Sequence, residues 1–86
     1  MPFIEIYTTQ FCPYCIVAKR LLATKSVNYE EIKVDVDRGK RAEMMERAGG
    51  RTSVPQIFIN GEHIGGCDEL TELDYNGELD PKLVKD

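Results

Sequence analysis

The stretch Thr8-Thr9-Gln10-Phe11-Cys12-Pro13-Tyr14-Cys15 sets a CxxC pair between an apolar run and an amphipathic one. Before it, Phe3-Ile4-Glu5-Ile6-Tyr7 is rich in β-branched and aromatic residues and reads as a strand. After it, Ile16 to Leu22 pairs Val17 with Leu21 and Ala18 with Leu22 at i,i+4, the period of a helix with one face in a core. Cys12 therefore falls at a strand-to-helix corner. Pro13 supports that corner, because its fixed φ and missing N–H suit the first helical position and leave Cys12 as the cap.

The corner is where the chemistry is expected. A free thiol has a pKa of about 8.5, and only its thiolate is a nucleophile. Unpaired N–H groups and the positive end of the dipole at a helix start favour that anion, so Cys12 is expected to ionise early. Cys15 lies one turn further in, is expected to be more buried, and can reach back to attack a mixed disulfide formed at Cys12. The pair reads as nucleophile and resolving thiol.

A chain of 86 residues is bounded to one domain, spanning 1–86, able to bury a modest core without cross-links. Three cysteines are too few, and odd in number, for a disulfide-scaffolded secreted module, and the sequence opens without a charged segment leading into an apolar one. Met1-Pro2 runs straight into the first strand. A cytoplasmic setting is the expectation, and there a CxxC is catalytic or metal-binding more often than structural. The longest apolar run is far short of a membrane span, so no membrane association is expected. With 11 basic and 15 acidic side chains the net charge is −4, which disfavours nucleic acid as a partner.

Further along, Thr24-Lys25-Ser26 breaks the helix, and residues 29–36 alternate apolar and charged positions as a second strand, completing a right-handed parallel βαβ unit. Asp37 is placed as the N-cap of a helix reaching Ala48, with Ala42, Met44, Met45 and Ala48 as its packing stripe and Gly49-Gly50 as its stop. Asn60-Gly61, between Gln56-Ile57-Phe58-Ile59 and Glu62-His63-Ile64, predicts a hairpin with a type I′ turn. A last helix follows Gly65-Gly66, with Asp68 as its N-cap, Leu70 and Leu73 facing the core, and Asn76-Gly77 closing it. The tail from Glu78, with Leu79, Pro81, Leu83 and Val84, reads as a short helical end or a frayed one. The predicted order is β-α-β-α-β-β-α.

Taken together, CPYC at a strand-to-helix corner, TSVPQIFINGEHIGG and CDEL resemble the glutaredoxins, dithiol members of the thioredoxin-fold superfamily, over nearly the whole chain. The resemblance implies a thioredoxin-like α/β fold with a four-stranded mixed sheet flanked by three helices. It implies a monomeric glutathione-disulfide oxidoreductase with glutathione as cosubstrate, no bound cofactor and no metal. Its partners would be disulfide-containing or glutathionylated proteins, ribonucleotide reductase being one candidate. It also implies a cis Val54-Pro55 peptide beside the active site, with the Val54 backbone pairing with the cysteinyl part of glutathione.

Carried over position by position, the resemblance makes Tyr14, Val54, Pro55, Gly66, Cys67 and Asp68 the glutathione site. The N–H groups at the Cys67-Asp68 helix start would hold the γ-glutamyl carboxylate, and the Asp68 side chain its ammonium. Gly65 and Gly66 would allow close backbone approach, and Tyr14 would form an exposed rim, whereas Tyr7 belongs to the core. In one respect the chain departs from the family. Many members carry a lysine three residues before the first cysteine for the glycine carboxylate; Thr9 stands there, leaving Arg51, Gln56 or Lys19 as substitutes.

Two other readings start from the same residues. Cys12, Cys15, Cys67 and His63 make a Cys₃His set such as structural zinc uses, but a zinc knuckle needs a tight turn where Cys15 leads into a helix, and His63 on a hairpin strand reads as a surface side chain. Cys67 reads as a half-buried thiol at a helix start. A glutathione-ligated iron–sulfur dimer is disfavoured by Pro13, since related carriers tend to have Cys-Gly-Phe-Ser or lack this proline. A thioredoxin-like protein served by a flavoprotein reductase would resemble Trp-Cys-Gly-Pro-Cys, and the chain has no Trp.

Overall fold

Isoleucines 4 and 6 and tyrosine 7 are buried on opposite faces of one strand, which makes that strand the middle of the fold. In the computed structural model, which describes residues 3–83, β1 (Ile4–Thr8) runs parallel to β2 (Glu30–Lys33) on one side and antiparallel to β3 (Gln56–Ile59) on the other. β4 (Glu62–Gly65) closes the hairpin, giving the order β2-β1-β3-β4. Asn60 and Gly61 take φ of 53° and 85°, both left-handed, as a type I′ turn requires.

The strand period of two then divides the core. Ile4, Ile6, Ile57 and Ile59 face α1 (Pro13–Thr24) and α3 (Cys67–Tyr75), packing on Ala18, Leu22 and Leu70. Tyr7 and Phe58 point the other way, towards α2 (Arg38–Arg47), and meet Val34, Met44 and Ala48. Asp37 caps α2 by accepting from the Gly39 N–H at 3.1 Å. Met44 is fully buried and Met45 packs beside it, so the pair is helix packing.

Four expectations change. The fully buried face of α1 runs through Cys15, Ala18 and Leu22, with Leu21 partly buried beside it, while Val17 is half exposed. β2 stops at Lys33 instead of reaching residue 36, since the Lys33 carbonyl accepts from the Val36 and Asp37 N–H groups and turns the chain into α2. There are four helices among the described residues and not three: α4 (Leu79–Leu83) follows α3, with Leu79 and Leu83 buried against the core and Pro81 in its first turn, where an N–H is dispensable. Val84, read together with that tail, lies outside the described residues, as do Met1 and Pro2. Asp68 is not the cap of α3; Gly66 holds that position and Asp68 lies within the first turn.

On the α2 face the charges are organised around Arg47. Its guanidinium donates to both Glu5 carboxylate oxygens, at 2.8 and 3.1 Å, and to the Tyr7 hydroxyl at 2.7 Å, and lies 4.0 Å over the Phe58 ring. Tyr7 in turn donates to Glu43 at 2.6 Å. Burial, reinforced by the bond to the Glu43 carboxylate, pushes the Tyr7 phenol up to about 12. The folded chain thus keeps a proton that the unfolded chain releases nearer 10, so this contribution to stability is complete below pH 10 and disappears as pH rises through 12. Tyr7→Phe should cost roughly 1–3 kcal/mol in denaturant unfolding by removing one hydrogen bond each from Glu43 and Arg47, and should flatten the alkaline loss of stability; an unchanged alkaline limb would show that Tyr7 does not cause it.

Candidate active site

Cys12 occupies the N-cap of α1 in extended backbone, with Pro13 as the first helical residue. Its sulfur accepts from the Cys15 N–H at 3.1 Å, using one of the donors that a helix start leaves free. The two cysteines form a disulfide with Cα atoms 5.2 Å apart. Cys15 is buried at 1% exposure, and Cys12, at 7%, sits nearer the surface. The pair can alternate between dithiol and disulfide without moving the helix, because one turn already brings the sulfurs together.

The Val54 carbonyl lies 3.8 Å from the Cys12 sulfur, just before a cis Val54-Pro55 peptide. A disulfide sulfur carries no proton, so this is a close approach and not a hydrogen bond. Beside it opens a groove of about 230 Å³, bounded by Tyr14 on α1, by Arg51 and the Ser53-Val54-Pro55 loop, and by Gly66, Cys67, Asp68 and Glu69 at the start of α3. All six residues expected around glutathione therefore border one space. Tyr14 is 64% exposed and forms a rim. Cys67 is more buried than the sequence suggested, at 8%, with its sulfur 3.9 Å from the Thr71 hydroxyl.

Of the three substitutes for the absent lysine, Arg51 alone borders the groove. Lys19 is paired with Glu31 at 2.9 Å in a separate depression that also holds Thr9, and Gln56 is wholly buried behind the loop. His63 is not a free surface side chain. Its ring stacks on Phe58 with centroids 4.9 Å apart, its Nε2 bonds Gln56 Oε1 at 2.7 Å, and burial, then the Arg51 charge, lower its pKa. Among the described residues no three of His, Cys, Asp and Glu converge as metal ligands would.

Sequence reasoning missed Ser53 and Glu69. The signal for Glu69 was present: a glutamate three residues after an N-cap is a capping-box pattern, visible once the cap is set at Gly66. The Glu69 carboxylate accepts from the Gly66 N–H at 2.6 Å and from Arg51 at 3.2 Å.

Similarity to known proteins agrees with this geometry. A glutaredoxin family model matches residues 4–64. Glutaredoxin 3 of Escherichia coli (strain K12) is 54% identical over 83 residues, covering 96% of this chain and 99% of that one. The chain belongs to the glutaredoxin family. The glutaredoxin of Pseudomonas aeruginosa is 51% identical over 83 residues, covering 96% of this chain and 98% of its own. Among solved structures, a buckwheat glutaredoxin–glutathione complex aligns with TM-score 0.85 at 31% identity, over 93% of this chain and 74% of that one. The glutaredoxin of Brucella melitensis aligns with TM-score 0.79 at 49% identity, over 91% and 84%. Family membership and the CxxC pair make the protein a thiol–disulfide oxidoreductase with a thioredoxin-like fold.

The groove wall at α3 rests on Glu69. The Gly66 N–H bond, joined by Arg51, lowers the Glu69 pKa, so its contribution to stability is present above the ordinary carboxylate range and is lost as pH falls through the lowered value. Gly65 makes room for this side chain and not for a ligand: it takes φ +121°, and a Cβ there would lie 2.6 Å from Glu69 Oε1. Gly65→Ala should lower thermal stability by roughly 1–3 kcal/mol through backbone strain and displacement of Glu69. Glu69→Gln should cost less and should shift the acid limb of stability; identical acid limbs in wild type and Glu69→Gln would contradict this role.

Proposed function

We propose that the protein uses glutathione to reduce protein disulfides and glutathione mixed disulfides, with Cys12 as nucleophile and Cys15 as resolving thiol. The observation that carries this reading is the groove that runs from Tyr14, past the Val54 backbone whose carbonyl lies 3.8 Å from the Cys12 sulfur, to the N-terminus of α3. Its contents suit a tripeptide with a carboxylate at each end and an ammonium at one. Free N–H groups at the start of α3 suit the γ-glutamyl carboxylate, Asp68 suits the ammonium, and Arg51 is the cation within reach of an anionic end. A buckwheat relative was solved as a complex with glutathione, which supports glutathione as the ligand. A cytosolic setting fits, since the reaction draws on a reduced glutathione pool.

On this reading the Cys12 thiolate attacks the glutathionyl sulfur of a mixed disulfide. The protein thiol departs with a proton, leaving Cys12 bonded to glutathione, and a second glutathione thiolate releases oxidised glutathione and restores Cys12. With a protein disulfide, Cys12 instead becomes bonded to the protein. Cys15 then attacks Cys12, frees the protein thiol and forms the Cys12–Cys15 bridge, which two glutathiones reduce. The helix start supplies the early ionisation of Cys12, and the Cys15 N–H contact with its sulfur is one such donor.

Cys12→Ser should abolish both activities in assays coupled to glutathione and its reductase, whereas Cys15→Ser should keep deglutathionylation and lose most reduction of protein disulfides. Equal loss in both assays for Cys15→Ser would sink the division of labour. The same assay run with thioredoxin reductase as electron source should give little turnover.

Asp68→Asn separates binding from folding, because Asp68 lies in the first turn of α3 and does not cap it. Removing its charge should weaken a charge-assisted bond to the ammonium worth about 1.5–3 kcal/mol, roughly ten-fold or more in the glutathione-dependent step. The melting temperature should hardly move. Unaltered glutathione kinetics in this variant would remove the γ-glutamyl end from α3.

A further inference from the structure

Behind the groove a buried amide is held in one orientation. Gln56 is wholly buried, and its Nε2 donates to the Ser53 carbonyl at 3.0 Å, with the Ser53 hydroxyl at 3.4 Å. A backbone carbonyl can only accept, so this end of the side chain must be the NH₂ and the oxygen must face His63. His63 Nε2, 2.7 Å from that oxygen, is then the protonated ring nitrogen. The Phe58 ring under His63 and the Arg47 guanidinium under Phe58 fix the imidazole from behind. Two hydrogen bonds thus run in one direction, from His63 through Gln56 to Ser53.

The end of that relay is a peptide plane. The Ser53-Val54 peptide is trans, so its N–H points opposite to its C=O. With the Ser53 carbonyl drawn back to Gln56, which is not part of the groove, the Val54 N–H is turned to the side the groove occupies. Among the described residues it meets no backbone acceptor. Resting on the reading that the groove holds glutathione, we propose that Gln56, locked by His63, is a positioning residue that presents the Val54 N–H to the peptide backbone of glutathione. Neither side chain touches the ligand. Each acts by denying the Ser53-Val54 plane the freedom to rotate.

The test uses the reduced full chain and S-methylglutathione, a probe that cannot exchange disulfides. His63→Phe keeps a ring on Phe58 and removes the donor to Gln56; His63→Gln restores a donor; Gln56→Met removes both ends of the relay. Wild type should bind the probe with a downfield shift of the Val54 amide proton. His63→Phe should bind roughly three- to ten-fold more weakly, as expected for a hydrogen bond made by a less ordered donor, with that shift reduced, and His63→Gln should recover most of both. A lowered melting temperature in His63→Phe with wild-type affinity and an unchanged Val54 shift would make the relay structural only and overturn the proposal, whether or not Gln56→Met folds. Failure of wild type itself to bind the probe would instead overturn the glutathione reading on which the proposal stands.

Discussion

Every helix begins with N–H groups that its own carbonyls cannot reach, and two such beginnings border one groove in this protein. At α1 one of these donors, the Cys15 N–H, meets the Cys12 sulfur. At α3 the first of them is met by Glu69, which bonds Gly66, and those further in remain available at the groove. Both poles face the groove because α1 and α3 lie on the same side of the sheet, fastened through Ala18, Leu22 and Leu70 to the isoleucines of β1 and β3. Displacing either helix would leave Cys12 or the groove without its partner. The apolar core therefore acts on the chemistry by holding two dipoles at a fixed separation.

The opposite face of the sheet is built differently. Arg47 ties Glu5 and Tyr7 of β1 to α2 and lies on Phe58 of β3, so a charge sits where an aliphatic side chain would serve for packing alone. A half-buried guanidinium is tolerated only because its donors are directed to a carboxylate and a phenol oxygen, and its flat face covers an aromatic ring. Phe58 carries that order on to His63 and so to the loop before Pro55. The face with no cysteine on it reaches the active site through ring contacts and one buried amide.

Much of this was legible because it depends on neighbours in sequence. The corner at Cys12-Pro13, the cap at Asp37 and the left-handed pair Asn60-Gly61 each follow from residues within one turn of each other. The groove was legible for a different reason: its six expected residues came from the resemblance to the glutaredoxins, not from local rules. What escaped local reading was set at long range. The bonds of Arg47 to Glu5 span 42 residues, the burial of His63 depends on Phe58 and Gln56, and the length of β2 depends on a turn that the alternation of residues 29–36 does not reveal. The cap of α3 was misplaced because Gly66 offers no side chain to recognise, while Asp68 has one of the commonest capping side chains. Only Glu69, three residues after Gly66, marks the true start.

Net charge and local charge pull in opposite directions at the groove. The chain carries −4 overall, so an anion is repelled at long range, yet salt confines that field to roughly 8–10 Å. Within that distance the balance is set by the two helix starts and by Arg51, against Asp68 and Glu69. Glu69 is already engaged by Gly66 and Arg51, which leaves Asp68 as the free negative charge and the helix N–H groups as the free donors. An anion entering alone would meet Asp68. On the proposed reading, a ligand end that carries an ammonium beside its carboxylate would meet both with opposite signs, and the arrangement would favour a zwitterionic amino-acid end over a simple carboxylate. Selectivity of that kind lies in the spacing between one side-chain charge and a set of backbone dipoles, and the overall charge of the protein has little part in it.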